Sequence, residues 1–415
     1  MLACTYFFCL LCGYYVVRPL RDEMGIEGGT AKLPYLFSVT FLVMLAAVPA
    51  FGWIVARAPR RRIVPVVYGL FALQLLAFFV LLKMPISRAA LAPSFFVWVS
   101  VYNLFVVAVF WSYMVDVFSA AQARRLFGFI AAGGTIGAIA GPLLTQSIVR
   151  TIGPTNLLLV SVAFLLAALG CVLLINRQVE RHGLPPAADH AQPIGFGVFS
   201  GVRRVFGSQY LFAIGCWVVL GNILGAFFYL QQQIIIEATV GSPAERIQLF
   251  ARLDLTVNVL AIILQLLATG RIIQRFGVGV AAAAQPALAT IGFLLLAAAP
   301  TLAVIFLCQT VGRAVNYAIS NPARHALFSS VTPDEKYKAQ NVVDTLFYRG
   351  GDAAGGWLFA LLSRSLGLEI ALIAAIATPF AALWTALAIA LGRMQESHRP
   401  ATEQVKGVAQ PSSIS

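Results

Sequence analysis

About twelve stretches of roughly twenty mostly apolar residues follow one another along this chain, and a helical run of that length matches the hydrocarbon thickness of a bilayer. They fall at 2–24, 34–56, 63–82, 93–115, 128–150 and 155–176, and then at 209–235, 248–269, 278–299, 301–321, 341–363 and 367–391. Backbone polar groups inside lipid must be satisfied within their own segment, so such runs fold as helices. Little is left to face water: 60% of the 415 residues are hydrophobic and 11% are charged, where a soluble domain carries about 25% charged residues. The predicted class is an all-α membrane protein.

The longest internal polar segment, Arg177 to Ser208, contains Pro185, Pro186 and Pro193 and separates six spans from six. The predicted organisation is a six-helix bundle over 1–176, a cytoplasmic linker over 177–208, a second bundle over 209–392 and a disordered cytoplasmic tail over 393–415. The two bundles read as a duplication. Gly52-Trp-Ile54-Val-Ala-Arg57 after the second span matches Gly270-Arg-Ile272-Ile-Gln-Arg275 after the eighth. Gly133, Gly134, Gly137 and Gly141 in the fifth span answer Gly350, Gly351, Gly355 and Gly356 in the eleventh. Small residues every four positions let membrane helices approach closely, so these stripes read as packing faces. With both termini cytoplasmic, the basic residues favour the inner loops by about two to one, as the positive-inside rule expects. The expected location is the cytoplasmic (inner) membrane of a bacterium, crossed many times.

The net charge of +13 is dispersed over short loops instead of gathered on one face, which argues against a nucleic-acid partner. No cleavable signal sequence is evident, since the first apolar run leads into Arg18 without a small-residue cleavage site. The six cysteines, Cys4, Cys9, Cys12, Cys171, Cys216 and Cys308, all lie in apolar stretches and read as packing residues. His182, His190, His325 and His398 are scattered over inner loops and the tail. No metal, cofactor or catalytic set is therefore expected, and the chain is not read as an enzyme.

Charges inside spans point to function. Arg313 falls mid-span, where an arginine costs roughly 2.5–3.5 kcal/mol on insertion scales. Gln309, Arg313, Asn316, Tyr317 and Ser320 share one helical face, a polar stripe that belongs against a cavity or another polar helix. Arg18, Arg21 and Asp22 lie late in the first span, with both guanidiniums on one face, suited to bidentate recognition of phosphate or carboxylate. Anchoring to outer headgroups is the alternative for that pair. The seventh span is polar at Tyr229-Leu-Gln231-Gln232-Gln233. Asp344, Tyr348 and Asp352 step by four along the eleventh span beside Arg349; such a set is either a helix-holding pair or a protonation-linked switch. Asp116, Glu237 and Asp254 fall near span ends and read as solvated.

Gly52–Arg62 resembles the short inner-loop signature of the major facilitator superfamily, keeping Gly52, Ile54, Arg57, Arg60 and Arg61, with Ala56 for the acid and Pro59 for the second glycine. Gly137-Ala-Ile-Ala-Gly141-Pro142 is similar to the start of the fifth-helix motif of antiporters in that superfamily. Over the first 145 residues or so, the chain also resembles the ATP:ADP antiporter family. Tyr14-Tyr-Val-Val17-Arg18-Pro-Leu-Arg21-Asp22 matches the end of that family's first helix, and Phe110-Trp111 followed by Arg124-Arg125, Phe127 and Gly133 matches its fourth and fifth. The acid that family carries on its fourth helix is absent from 97–102.

These resemblances imply two pseudo-symmetric six-helix bundles and secondary active transport by alternating access. The expected substrate is a small phosphate- or carboxylate-bearing anion, moved by nucleotide exchange or with proton coupling. With the polar and charged residues inside the spans, substrate contacts are expected from Tyr14, Arg18, Arg21, Gln231, Gln232, Gln309, Arg313, Asn316 and Tyr317. Coupling or gating falls to Asp22, Arg57, Asp344, Arg349 and Asp352. A non-transporting receptor or scaffold, or a membrane-embedded enzyme, is the competing class.

Overall fold

The computed structural model describes residues 1–55, 60–181, 198–331, 335, 339–340 and 342–397. The described residues are helical with short connections and contain no strand. The first half comprises α1 (Leu2–Glu27), α2 (Leu33–Val55), α3 (Arg60–Lys83), α4 (Arg88–Val117), α5 (Ala120–Ile152) and α6 (Leu157–Arg181). A short helix, α7 (Val198–Gly207), leads into the second half. That half holds α8 (Gln209–Thr239), α9 (Pro243–Leu264), α10 (Gly270–Ala298), α11 (Leu302–Val315), α12 (Asn321–Leu327), α13 (Tyr348–Ala360) and α14 (Ile370–Ser397). The last helix thus runs past residue 392, while the rest of the expected tail, the Pro-rich stretch of the linker and Arg57 lie outside the described residues.

Among the described residues, ten helical stretches are long and apolar enough to cross a membrane. One of them, Pro243–Ala298, is 56 residues long and breaks at Gly277, with φ 80° and ψ 171°. Only glycine takes that conformation without strain, so one stretch holds two spans. The glycine- and charge-bearing segment from Val343 to Ser365 is too polar for that set and completes twelve.

Small residues decide the closest contacts. A Cβ added to Gly133 would lie 2.4 Å from the Cys4 carbonyl oxygen, and one at Gly137 would lie 2.4 Å from that of Phe8, so α5 seats directly on the α1 backbone. The second half repeats the contact: Gly351 and Gly355 of α13 press on Val219 and Ile223 of α8. In each half the fifth span therefore packs on the first through glycines of its stripe, although in the second half Gly350 has open space and Gly356 faces Pro34 and Phe37 of α2. Each half has its own apolar core. In the first, Phe7 stacks on Phe110 with centroids 4.1 Å apart, beside Tyr6. In the second, Phe228 stacks on Phe293 at 4.0 Å.

The halves meet at the end away from the start of α1. Ile26, Ile236 and Phe250 form a small buried cluster there, and Thr30 donates to Glu237 over 2.8 Å. Arg150 and Glu245 approach to 3.6 Å, and Gln248 donates to the Gln146 carbonyl at 3.1 Å. The molecule is closed at this end.

A candidate substrate site at the junction of the halves

A cavity of ≈ 350 Å³ lies between the halves. The first half contributes Arg18, Arg21 and Asp22 from α1, Phe37 and Thr40 from α2, and Ser100 from α4. The second contributes the remaining wall, including Asn222, Tyr229 and Gln232 from α8, Gln285 from α10, Gln309 and Arg313 from α11, and Trp384 from α14. Arg349 and Asp352 of α13 complete the polar lining.

The placement of Asn316 and Tyr317 reflects an irregular turn. Asn316–Ser320 is π-helical, and such a turn inserts an extra residue that frees a carbonyl and rotates the residues after it. Thr269, in a second π-helical turn at Gln265–Thr269, donates its hydroxyl to the Ala318 carbonyl over 2.7 Å. Asn316 and Tyr317 stay on the cavity face with Arg313, whereas Ser320, next along the expected stripe, is turned away and buried. The same device separates Asp344 from Asp352. Val343–Phe347 is π-helical, so the four-residue step is lost, and Asp344 pairs with Arg324 at 3.1 Å outside the cavity. Arg349 and Asp352 approach one another to 3.6 Å.

Among the other expected residues, Gln232 lines the cavity. Gln231 is one helical step, about 100°, further round α8; it is fully buried and its amide finds no hydrogen-bond partner. Tyr14 packs in the core of the first half, edge-on to Tyr15, and does not line the cavity.

The central charges are arranged around Asp254, on α9. Its Oδ1 lies 3.1 Å from Arg18 Nη1 and 2.7 Å from Arg313 Nη2, and the residue is 2% exposed. Asp254 is therefore a buried bridge, not the solvated residue its position in the ninth helix suggested. The expectation failed because distance from a helix end was used as a measure of exposure; the acid sits at mid-bundle, opposite two arginines. An acid within an apolar helix was itself the available signal. Arg313 is accordingly paired with Asp254, not with Asp344 or Asp352. Sequence reasoning also missed Asn222, Gln285 and Trp384, isolated polar or aromatic residues in otherwise apolar helices.

Arg21 donates through Nε and Nη2 to Asp22 Oδ1 at 3.0 and 2.6 Å, and its guanidinium lies over the Phe96 ring, 5.2 Å from the centroid. Tyr229, from the other half, donates to the same oxygen at 3.1 Å. With every group ionised, Arg18, Arg21, Arg313 and Arg349 face Asp22, Asp254 and Asp352, which leaves one positive charge in excess. Each guanidinium has five N–H donors, so donors remain for a ligand in the cavity.

This architecture is the major facilitator fold, an all-α membrane fold of two six-helix halves around a central cavity. Solved structures with this fold match nearly the whole chain. The nucleoside transporter NupG aligns over 95% of this chain and 98% of its own, with a TM-score of 0.64 and 14% identity. An auto-inhibited peptide transporter of the POT family aligns over 99% and 98%, with a TM-score of 0.65 and 13% identity. A bacterial homologue of the iron transporter ferroportin, in an inward-facing state, aligns over 94% and 98%, with a TM-score of 0.65 and 10% identity. No family model matches the chain, and no curated protein matches it.

Proposed function

We propose that this chain is a secondary active transporter that carries a small organic anion, bearing a phosphate or a carboxylate, across the cytoplasmic membrane by alternating access. The observation that carries the reading is the convergence of Arg18 from one half and Arg313 from the other on one cavity wall, with an excess of positive charge. A central site contacted by both halves is what alternating access requires, because the halves rock about the bound ligand. The solved neighbours support transport as the class; their own cargoes, by their descriptions, are nucleosides, peptides and iron. The resemblance of the first 145 residues or so to ATP:ADP antiporters favours a nucleotide or another phosphate ester, moved by exchange.

In this reading Arg18, Arg21 and Arg313 hold the anion, while Gln232, Gln309, Asn316 and Tyr317 bond to its uncharged part. Arg349 and Asp352 form the coupling pair, and the termini are cytoplasmic. The deciding experiment is uptake into proteoliposomes of labelled nucleotides, sugar phosphates, dicarboxylates and neutral nucleosides. Each is measured with and without a proton gradient and with and without internal substrate. Saturable uptake of at least one phosphate or carboxylate is expected; uptake confined to neutral nucleosides would overturn the anion assignment.

A further inference from the structure

Asp254 makes two ion pairs through a single oxygen. The pair with Arg313, which is also a hydrogen bond, lies within the second half, whereas the pair with Arg18 crosses from α9 to α1 and ties the halves together. Its other oxygen, Oδ2, is buried and has no hydrogen-bond partner. Two guanidiniums sharing one carboxylate oxygen would repel one another without it, and removing one partner of a buried ion pair leaves the other charge uncompensated. Both arginines also present themselves to the cavity. Any anion that enters therefore competes with Asp254 for the same two cations.

We propose that Asp254 is a tethered counter-anion that locks the two halves together at mid-bundle, and so holds the closed end shut, while the cavity is empty. The lock itself rests on the geometry. Its release by substrate rests on the anion reading above: an entering phosphate or carboxylate takes up charge and donors of Arg18, the cross-half pair weakens, and the halves separate. A carrier locked when empty cannot return without cargo, so the device favours exchange over one-way flux.

The lock is tested without any ligand. Spin labels at Ser87, in the α3–α4 connection, and at Ser365, just before the α13–α14 connection, report the separation of the halves at the closed end, in a background lacking the six native cysteines. Both positions are exposed. Wild-type protein should give one short distance. Asp254→Asn should add a longer population in the absence of ligand, because Arg18 and Arg313 then face each other uncompensated. Should Asp254→Asn fail to fold, Arg18→Gln serves, since it cuts only the cross-half pair and leaves Asp254 with Arg313; the same longer population is expected. A folded variant with the wild-type distribution overturns the lock. Release is read separately, by adding inorganic phosphate or AMP to the wild type. If the variants open but neither anion opens the wild type, the lock stands and its release by a phosphate falls.

Discussion

Trp357 on α13 donates its indole N–H to Ser38 Oγ on α2 over 2.8 Å, joining positions 319 apart in the sequence and on opposite halves. Tyr35 packs edge-on against the same indole, with centroids 4.6 Å apart, and Gly356 lies against Pro34 and Phe37. This contact belongs to the closed end, on the side opposite the α5–α9 seam.

Trp357→Phe keeps the ring and removes the donor. It should weaken closure of this end by about 0.5–1.5 kcal/mol, the net value of a neutral hydrogen bond, and Ser38→Ala should do the same. A double variant should be no more open than either single one if the effect comes from that bond. Distances across the closed end measure all three; additive effects would mean the two residues act separately.

Gly137→Leu should damage assembly. Even a Cβ at this position meets the Phe8 carbonyl oxygen at 2.4 Å, and overpacking typically costs about 1–3 kcal/mol and occasionally more. Gly128→Leu, on the same helix with nothing within 4 Å of an added Cβ, is the control and should be tolerated. Detergent-solubilised yield and melting temperature compare the two. Equal stability of both variants would remove the close-contact role of the stripe.

Arg313→Gln should weaken anion binding by about 1.5–3 kcal/mol, the scale of a hydrogen bond to a charged group. Arg313→Lys keeps the charge but loses the planar fork that reaches Asp254 and a ligand together, so transport should fall with part of the binding retained. Uptake and ligand-induced thermal shift are measured on both. Undiminished transport by Arg313→Gln would exclude it as an anion ligand.

If both termini are cytoplasmic, cysteines placed at Ser87 and Ser242 should react with an impermeant thiol reagent applied to intact cells. One at Ala121, beside the start of α5, should be protected until the membrane is opened. All three positions are exposed, so reactivity reports sidedness instead of burial. The reverse pattern would invert the orientation.

Much of the site was legible because lipid makes polar residues conspicuous. Arg18, Arg21, Asp22, Gln309, Arg313, Asn316 and Tyr317 each stand in an apolar helix, and all line the cavity. Periodicity carried the reading only where the helix stayed regular: two π-helical turns, Asn316–Ser320 and Val343–Phe347, moved Ser320 and Asp344 off the faces assigned to them. Nothing in the local residue pattern announces those turns, because the freed Ala318 carbonyl is satisfied by Thr269 from a different span.

The sequence by itself determined that the chain crosses a membrane about twelve times in two related sets. Hydrocarbon thickness and the need to satisfy backbone groups locally leave no other use for such runs. It also marked the glycine faces of the fifth and eleventh spans as packing faces, since small residues state that purpose through size alone; which helix each face seats on came only from the structure. What only the tertiary structure decided is which charges are partners. Arg18, Asp254 and Arg313 come from three helices in two halves, and their meeting depends on how far each helix is rotated about its axis. Long-range packing sets that rotation, and the local pattern leaves it open. Asp254 reads alone as one more acid in a helix; between two arginines it becomes the centre of the molecule.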